Sequence, residues 1–243
     1  MASLPLYKEI RDQLVESLVR KEWRPGEALP SEKDLAKRFS VAVSTIRNAI
    51  AEMVDASILV RKQGKGTYVT DHGVLGGRYR FFNVVNAEGV KEPFYRTLIS
   101  MKVEKAGADA LRLFEFPKGL RQPDVYRIRF KLSGSGQAFS VVEVILPCHL
   151  FRNLKPESIV RGDESLYTFY QQRLGVNIVQ VVEHVFAVKA PATVARSLAL
   201  PPDEPLLEIR RTGFTYNNVA VEQRTSWIHT RDFHYYVTQG APN

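Results

Sequence analysis

The sequence predicts an α+β protein with two domains, a mainly helical N-terminal domain and a larger domain of antiparallel strands and helices. Apolar residues recur at helical spacing between residues 6 and 58, and a short basic hairpin bounded by glycines follows. From residue 81 onward, long alternating strands are mixed with a few helices. We therefore expect a domain at residues 1–70, a glycine-rich linker at 71–80 and a second domain at 81–243.

The composition indicates a globular protein that lies outside the membrane. Of 243 residues, 44% are apolar and 25% are charged, which provides enough apolar material for a sizeable core. No apolar run reaches the roughly 18–20 residues that span a bilayer, and the N-terminus lacks a signal-peptide pattern. The single Cys148 cannot form an internal disulfide, which fits a reducing compartment. We therefore expect a cytoplasmic protein without a membrane partner.

Basic residues are concentrated in one part of the N-terminal domain. The formal net charge is +8, which favours a polyanionic partner only in a general way. Between residues 33 and 65, however, seven Lys and Arg residues stand against three Asp and Glu residues. This local excess marks the stretch as a contact surface for a polyanion.

Three helices are predicted in the N-terminal domain. The first spans Leu6–Arg20 and carries an apolar stripe at Leu6, Ile10, Leu14 and Leu18, with Val15 and Val19 beside it. The second begins at Ser31, which forms a capping-box-like start with Asp34 three residues later. After a short break, the third helix begins at Val43 and turns an apolar stripe inward at Ile46, Ile50, Met53 and Val54.

A two-stranded ribbon with a basic tip follows these helices, and Gly64 and Gly66 permit the positive φ that the tip requires. This layout is typical of a winged helix-turn-helix, whose second helix of the pair enters the DNA major groove. Arg47 lies near the start of that helix and is our predicted base reader, because arginine to guanine is the commonest specific contact. A phosphate contact or an intramolecular ion pair is the alternative.

The remaining polar side chains of this surface have simpler expected roles. Lys37 and Arg38 point outward from the second helix and are expected to contact phosphates, which position a protein without reading sequence. Asn48 either contacts adenine or faces solvent. Lys65 projects from the hairpin tip toward the minor groove or the DNA backbone.

These motifs resemble the N-terminal domain of GntR-type transcriptional regulators over residues 4–70. The matching runs are Leu29-Pro30-Ser31-Glu32, Ala36, Thr45-Ile46-Arg47-Asn48-Ala49-Ile50 and Gly64-Lys65-Gly66-Thr67-Tyr68-Val69. The chain departs from the family pattern at Ser40-Val41-Ala42-Val43, which removes a serine N-cap and an arginine, and at Ala56-Ser57. The DNA-binding residues that we predict are Ser31, Lys33, Lys37, Arg38, Ser44, Thr45, Arg47, Asn48, Lys65 and Gly66.

The second domain contains a long predicted hairpin with a charged pair. Residues 125–132 alternate cleanly, residues 133–137 read as the loop, and residues 138–146 return as an apolar strand interrupted by Glu143. A five-residue loop places Arg127 opposite Glu143, which is then a buried ion-pair partner, a pocket residue or both.

Further elements of this domain follow from the same patterns. They are a helix at 163–174 with Ser165 in its first turn, a strand at 176–189, a helix at 190–200, and a hairpin of residues 206–216 and 219–230 around Asn217-Asn218.

Over residues 80–238 the chain resembles the UTRA effector-sensing domain of the HutC-like branch of GntR regulators, which is similar in fold to chorismate lyase. The motifs that carry this resemblance are Arg127-Ile128-Arg129, Glu143 before Leu146-Pro147, Ser165-Leu166-Tyr167, Leu206-Leu207 and Glu222. The resemblance implies an effector pocket lined by Arg127, Arg129, Glu143, Ser165, Tyr167 and Glu222. Because residues 81–85 lack the Ser/Thr-containing phosphate loop of the sugar-phosphate sensors, we expect a small anion that carries hydroxyl or amine groups.

The expected function is that of a ligand-responsive DNA-binding transcriptional regulator, which as a homodimer represses from a pseudo-palindromic operator. A small anionic metabolite is expected to modulate operator binding, without a cofactor. The alternatives are a lyase-like enzyme and a constitutive DNA binder. Cys148 and His149 are adjacent and form a poor catalytic pair, and His184, His229 and His234 show no metal-ligand spacing, so neither catalysis nor metal binding is expected.

Overall fold

The computed structural model describes residues 5–71, 81–134, 136–160 and 165–238. The chain splits into two compact units: the first comprises residues up to Gly77 together with Tyr216–Asn218, and the second comprises the rest of the chain. Of the predicted linker at residues 71–80, only Asp71 lies within the described residues. None of the described helices is both long and apolar enough to cross a membrane.

The first unit contains three helices and a two-stranded ribbon, as predicted. In chain order these are α1 (Leu6–Val19), α2 (Glu32–Phe39), α3 (Val43–Asp55), β1 (Leu59–Lys62) and β2 (Gly66–Val69). The two strands pair antiparallel, and we call this ribbon the wing.

The apolar stripes of the three helices form the core of this unit. Leu14, Leu35, Ile46 and Met53 are fully buried, as the helical periodicity predicts. The prediction that Leu6 belongs to the stripe is wrong, because its side chain is 51% exposed at the first position of α1. The first residue of α1 lies beyond the part of this helix that packs into the core.

Within the described residues, the second unit is built around a six-stranded antiparallel sheet. In spatial order its strands are β4 (Tyr95–Lys105), β5 (Asp124–Gly134), β6 (Gln137–Pro147), β9 (Ala220–Ile228), β8 (Pro205–Phe214) and β7 (Gln180–Lys189). A separate ribbon pairs β3 (Val84–Asn86) with β10 (Phe233–Tyr235). The helical segments are α4 (Ala108–Leu113), α5 (Pro156–Val160), α6 (Leu166–Phe169), a π-helix (Tyr170–Leu174) and α7 (Ala192–Leu198).

The two faces of the sheet have different surroundings, because successive side chains of a strand point to opposite sides. On one face, which we call the core face, Val142 and Ile209 belong to the main apolar core together with Tyr170. On the other, which we call the outer face, Val141 packs against Val194 of α7. The end of α4 covers a further part of the outer face.

The predicted register of the hairpin of β5 and β6 is wrong by two residues. Strand β5 continues to Gly134 and β6 begins at Gln137, so the loop is shorter than the five residues expected. The pairing of Gly134 with Gln137 shifts the register by one residue, and a β-bulge or irregularity between Leu132 and Ser133 shifts it by one more, so Glu143 lies opposite Arg129 instead of Arg127. A shift of two residues preserves the face on which each side chain lies, because the side-chain period of a strand is two.

Two further boundaries differ from the predictions. The predicted strand at 176–189 begins only at Gln180, because β7 pairs with β8 from that residue onward. The predicted helix at 163–174 is described from Ser165, and it continues after α6 as the π-helix. Gly175 ends it in the left-handed conformation, with φ at 69°. The predicted Asn217-Asn218 turn is present, with φ at 58° and 57°.

Candidate functional site

The exposed face of α3 carries the side chains that we predicted to read DNA. Ser44, Arg47 and Asn48 are exposed and Thr45 is partly buried. The helix begins after Ala42, which accepts the amide hydrogen of Thr45 through its carbonyl at 3.0 Å but has no side-chain cap. The missing cap leaves the first amides of α3 without a side-chain acceptor, as the sequence predicted.

Arg47 forms an intramolecular ion pair in the described structure. Its Nε donates to Glu32 Oε2 at 3.0 Å, while Arg61 Nη2 of the wing lies 3.7 Å from the other oxygen of the same carboxylate. Glu32 therefore joins the recognition helix to the wing. The Arg47 side chain is 62% exposed, so this surface pair is weak and solvent competes with it.

Helix α2 presents the predicted phosphate contacts beside its own cap. Ser31 Oγ accepts the amide hydrogen of Asp34 at 3.2 Å, which confirms the capping interaction. The Ser31 hydroxyl also donates to Asp34 Oδ2 at 2.6 Å. The side chains of Lys33 and Lys37 are exposed.

Arg38 differs from its lysine neighbours because its guanidinium is already engaged. It forms a two-point ion pair with Glu22, in which Nη2 donates to Oε2 at 2.9 Å. The guanidinium carbon of Arg38 lies 5.4 Å from the ring centre of Trp23 and 5.2 Å from that of Phe39. The hydrogen bonds from Arg38 hold the pKa of the Glu22 carboxyl below its usual value.

The wing has the geometry that its glycines predict. Gly64 and Gly66 adopt φ of 70° and 112°, which side chains other than glycine rarely reach. Lys65 between them is exposed at the tip, and its carbonyl accepts the Tyr68 hydroxyl at 3.2 Å. Lys62 Nζ lies 4.2 Å from the ring centre of Tyr68. These contacts stiffen the wing and leave the Lys65 ammonium exposed.

In the second unit, one group of predicted effector residues lies on the outer face. Arg127 donates to Glu104 Oε1 at 2.7 Å and to Glu143 Oε1 at 2.6 Å. Arg129 Nε lies 3.4 Å from Glu143 Oε2, and Arg129 Nη2 lies 3.4 Å from Thr193 Oγ1 of α7. Two guanidinium groups thus face two carboxylates on a partly exposed surface.

A second group lies buried on the core face, and we call it the buried polar cluster: Tyr167, Glu183, Arg211, Glu222 and Arg224. Tyr167 of α6 donates to Glu222 Oε1 at 2.8 Å, and Arg224 donates to Glu222 Oε2 at 2.8 Å. Arg211 Nε donates to Glu183 Oε1 at 2.8 Å. Arg211 and Arg224 are directly opposite each other on β8 and β9. Like charges in this position repel, so each requires its carboxylate.

The environment of the buried polar cluster shifts its protonation equilibria. Burial and the Glu222 charge raise the pKa of Tyr167 to about 12. Burial and Glu222 also raise the pKa of Tyr170 well above its ordinary value. Burial lowers the pKa of Arg224, but the Glu222 charge, the hydroxyls of Tyr167 and Tyr170 and the hydrogen bond to Glu222 together outweigh it, so the pKa stays above its ordinary value. Both arginines are therefore charged and both phenols are neutral at physiological pH.

Arg224 retains one unused donor in this cluster. Its Nε is buried and has no hydrogen-bond partner among the described residues. Its guanidinium carbon lies 5.0 Å from the ring centre of Tyr167, which fixes the plane of the group. A buried donor without an acceptor costs free energy, so an anionic oxygen at this point is favoured.

The residues predicted to line one effector pocket lie on two faces of the sheet. Arg127, Arg129 and Glu143 lie on the outer face, whereas Tyr167 and Glu222 lie on the core face. Strand parity explains the division, because Glu143 pairs with Thr225 and therefore shares a face with odd-numbered residues of β9.

Ser165 is also used differently from the prediction. It is the N-cap of α6, and its Oγ accepts the amide hydrogen of Thr168 at 3.0 Å. The expected first-turn anion site therefore has its own serine as a partner for one of its amides.

Sequence reasoning missed Arg211, Arg224 and Glu183. A usable signal was present, because Arg211 continues the alternating series of Leu207 and Ile209 along β8. An arginine at a position where periodicity predicts an apolar core residue indicates a buried ion pair or a ligand contact.

Comparison with known families now decides the identity of the two units. The model for bacterial regulatory proteins of the gntR family matches residues 6–69. The model for the UTRA domain matches residues 96–234, more than half of the chain. The chain is a GntR-family regulator with a UTRA domain. This confirms the resemblance noted in the sequence.

Individual relatives agree with this assignment. The GntR-family chain is 25% identical to the mannosyl-D-glycerate transport/metabolism system repressor MngR of Escherichia coli (strain K12), over 96% of this chain and 95% of that protein. It is 23% identical to the HTH-type transcriptional repressor NagR of Bacillus subtilis (strain 168), over 92% and 90%. The ligand-binding domain of a GntR-family regulator from Bordetella bronchiseptica superposes with a TM-score of 0.62 at 27% identity, covering 67% of this chain and 99% of that one.

The enzyme alternative has no support in the residues that sequence analysis considered for it. Burial, followed by the charge of Asp124, raises the pKa of Cys148 to about 11, which is the opposite of nucleophile activation. Burial lowers the pKa of the adjacent His149. Within the described parts of the GntR-family chain, no group of three His, Cys, Asp or Glu side chains is placed to hold a metal ion.

Proposed function

We propose that this GntR-family regulator is a repressor that binds a pseudo-palindromic operator as a homodimer and responds to a small anionic metabolite. In this proposal residues 1–70 bind DNA, residues 81–243 bind the effector and associate with a second copy, and residues 71–80 connect them. The protein acts in the cytoplasm and catalyses no reaction. Two relatives of similar length are named as repressors, which supports the direction of regulation.

The DNA-binding proposal assigns positioning and reading roles to different side chains. Lys33, Lys37 and Lys65 are exposed cations that contact phosphates. Arg47 exchanges its weak bond to Glu32 for a base edge, with Ser44, Thr45 and Asn48 beside it. Arg38 contributes less, because a phosphate must compete with Glu22. Ser31 and Gly66 contribute backbone geometry at the edges of the surface.

The effector proposal rests on one observation, the unused Nε donor of Arg224 in the buried polar cluster. Arg211 and Arg224 lie side by side and offer charge-assisted bonds to a carboxylate or phosphate. Glu183 and Glu222 accept hydrogen bonds from hydroxyl or amine groups of the same molecule. The effector is therefore a small hydroxylated or aminated acid. The name of the mannosyl-D-glycerate repressor contains a molecule of this class.

The partly exposed outer-face group is the second place where such an acid can bind. Arg127 has both of its carboxylate partners, whereas Arg129 Nε is also buried without a hydrogen-bond partner among the described residues. We favour the core face because Arg224 is the more completely buried of the two arginines. Ser165 remains a proposed contributor beside Tyr167.

A thermal-shift screen of the full chain with hydroxy acids, amino acids and sugar phosphates tests this proposal. A ligand that binds the core face stabilises the wild type, and Arg224→Lys reduces its affinity about tenfold or more, because the planar two-point contact is lost. Lysine preserves the charge beside Glu222, so the variant still folds.

Arg129→Lys on the outer face is the matched control. We expect it to retain the ligand response of the wild type. If Arg129→Lys loses the response while Arg224→Lys keeps it, the effector binds the outer face and the core-face assignment fails. Consumption of the ligand during the assay, followed by mass spectrometry, would instead indicate an enzyme.

A further inference from the structure

The residues that follow the linker are attached to the buried polar cluster. We call Phe81–Asn83 the tethered segment. The Phe81 carbonyl accepts a hydrogen bond from Arg211 Nη2, and the Phe81 ring meets the Tyr167 ring edge-on with centres 5.6 Å apart. Thus the first residue of the segment contacts the cluster through both its backbone and its side chain.

The other end of the tethered segment is connected through Tyr235 to the ion pair of Arg211 and Glu183. Asn83 Nδ2 donates to the Tyr235 hydroxyl at 3.3 Å, and Tyr235 donates to Glu183 Oε2 at 2.6 Å. Glu183 in turn pairs with Arg211 at 2.7 Å. The Asn83 carbonyl also accepts the amide hydrogen of Tyr236 at 2.7 Å. The segment is therefore held at both ends by one buried arginine–glutamate pair.

The partner that Phe81 offers to Arg211 is weaker than the one that an effector offers. A backbone carbonyl is neutral, whereas a carboxylate or phosphate oxygen is charged, and charge-assisted hydrogen bonds are about twice as strong. The Arg211 side chain is only 8% exposed, so little water competes at this point. An anion that reaches the cluster can therefore replace the carbonyl.

We infer that the Phe81 carbonyl occupies the effector-anion position on Arg211 in the ligand-free protein, and that anion binding frees the tethered segment. This inference rests on the effector site proposed above, and it adds how that site signals. The freed residues directly follow the linker in the chain, so the effector acts on the covalent connection between the two units. The tether is thus an internal competitor that opposes the ligand.

Hydrogen exchange of the full chain tests the tether without any ligand. Tyr235→Phe removes the hydroxyl that joins Asn83 to Glu183 but leaves the Arg211–Glu183 pair and the aromatic ring. We expect amide exchange in residues 81–86 to become about fivefold faster, as the loss of one hydrogen bond predicts. Tyr236→Phe is the matched control, since its ring is 52% exposed, and it should exchange like the wild type. Equal exchange in both variants would overturn the tether.

Inorganic phosphate, compared with sodium chloride of equal ionic strength, tests the competition. We expect phosphate to raise the melting temperature of the wild type and to accelerate exchange in residues 81–86, with both effects reduced in Arg224→Lys. A raised melting temperature without faster exchange overturns the inference and leaves the effector site standing. If phosphate changes neither readout, both the anion site and its coupling to the segment are wrong, whatever Tyr235→Phe shows about the tether.

Discussion

At the residue scale, Glu32 decides how the DNA-reading surface is arranged before DNA arrives. Its two carboxylate oxygens face Arg47 of α3 and Arg61 of the wing. The pairs are exposed and contribute little to stability, so their effect is to orient the two guanidinium groups. Arg47 can then leave Glu32 for a base at a small cost. An intramolecular ion pair is the alternative to base reading that the sequence predicts for Arg47, and the pairing with Glu32 is compatible with both.

Replacing Arg47 with alanine should weaken specific DNA binding without unfolding the protein. Loss of a two-point contact to a guanine costs about 1–3 kcal/mol and relaxes discrimination at that base pair. Fluorescence anisotropy with DNA selected in vitro by the full chain measures both effects. Arg20→Ala, which removes an exposed arginine at the end of α1, is the control. Unchanged base discrimination in Arg47→Ala would show that this arginine contacts only phosphates.

At the element scale, the N-terminal unit was predictable because its signals are local. The Ser31 cap, the apolar stripe of α3 and the glycines of the wing each determine the conformation within a few residues. The sheet was less predictable, because pairing partners lie far apart in sequence. The charged residues along β5 were correctly assigned to one face. Their relation to Glu222 on β9 depends on two intervening registers that the sequence does not reveal.

The uncapped start of α3 provides a test at this scale. Ala42 already has the extended backbone of an N-cap, with φ at −65° and ψ at 147°, so Ala42→Ser adds a hydroxyl without changing the backbone. A serine cap stabilises a helix by about 1 kcal/mol, which should slow hydrogen exchange of the α3 amides about fivefold. Ala56→Ser at the opposite end of α3 is the matched control. Equal slowing by both substitutions would exclude capping as the cause.

At the scale of the whole molecule, the second unit has charged groups on both faces of one sheet. The outer-face group is partly exposed, whereas the buried polar cluster is enclosed by the main core. This arrangement was not predictable from composition, because the arginines of the two groups differ only in strand and parity. The family match shows which domain this is, and the cluster shows where its polar core lies.

Alkaline pH should destabilise this unit through Tyr167. Its folded-state pKa is about 12, above the value of about 10 for an unfolded tyrosine, so the folded state keeps a proton that the unfolded state loses. The stability that this provides is complete below pH 10 and is lost as pH rises toward 12. Urea unfolding at several pH values measures the loss of stability, and Tyr167→Phe should reduce it while leaving the part that Tyr170 contributes. Tyr95→Phe, at an exposed tyrosine, should not. A slope unchanged in Tyr167→Phe would contradict the assignment.

The division of the sheet into two faces restricts how this chain can change in length. A one-residue insertion or deletion within β9 would exchange Glu222 and Arg224 with Gln223 and Thr225. The buried Glu222–Arg224 ion pair would then turn outward, and two uncharged polar side chains would face the core. Descendants of this sequence should therefore gain or lose residues in its turns, such as the one at Asn217-Asn218, or in pairs within its strands. The even or odd position of each charged residue along its strand is therefore preserved when the sequence changes in length.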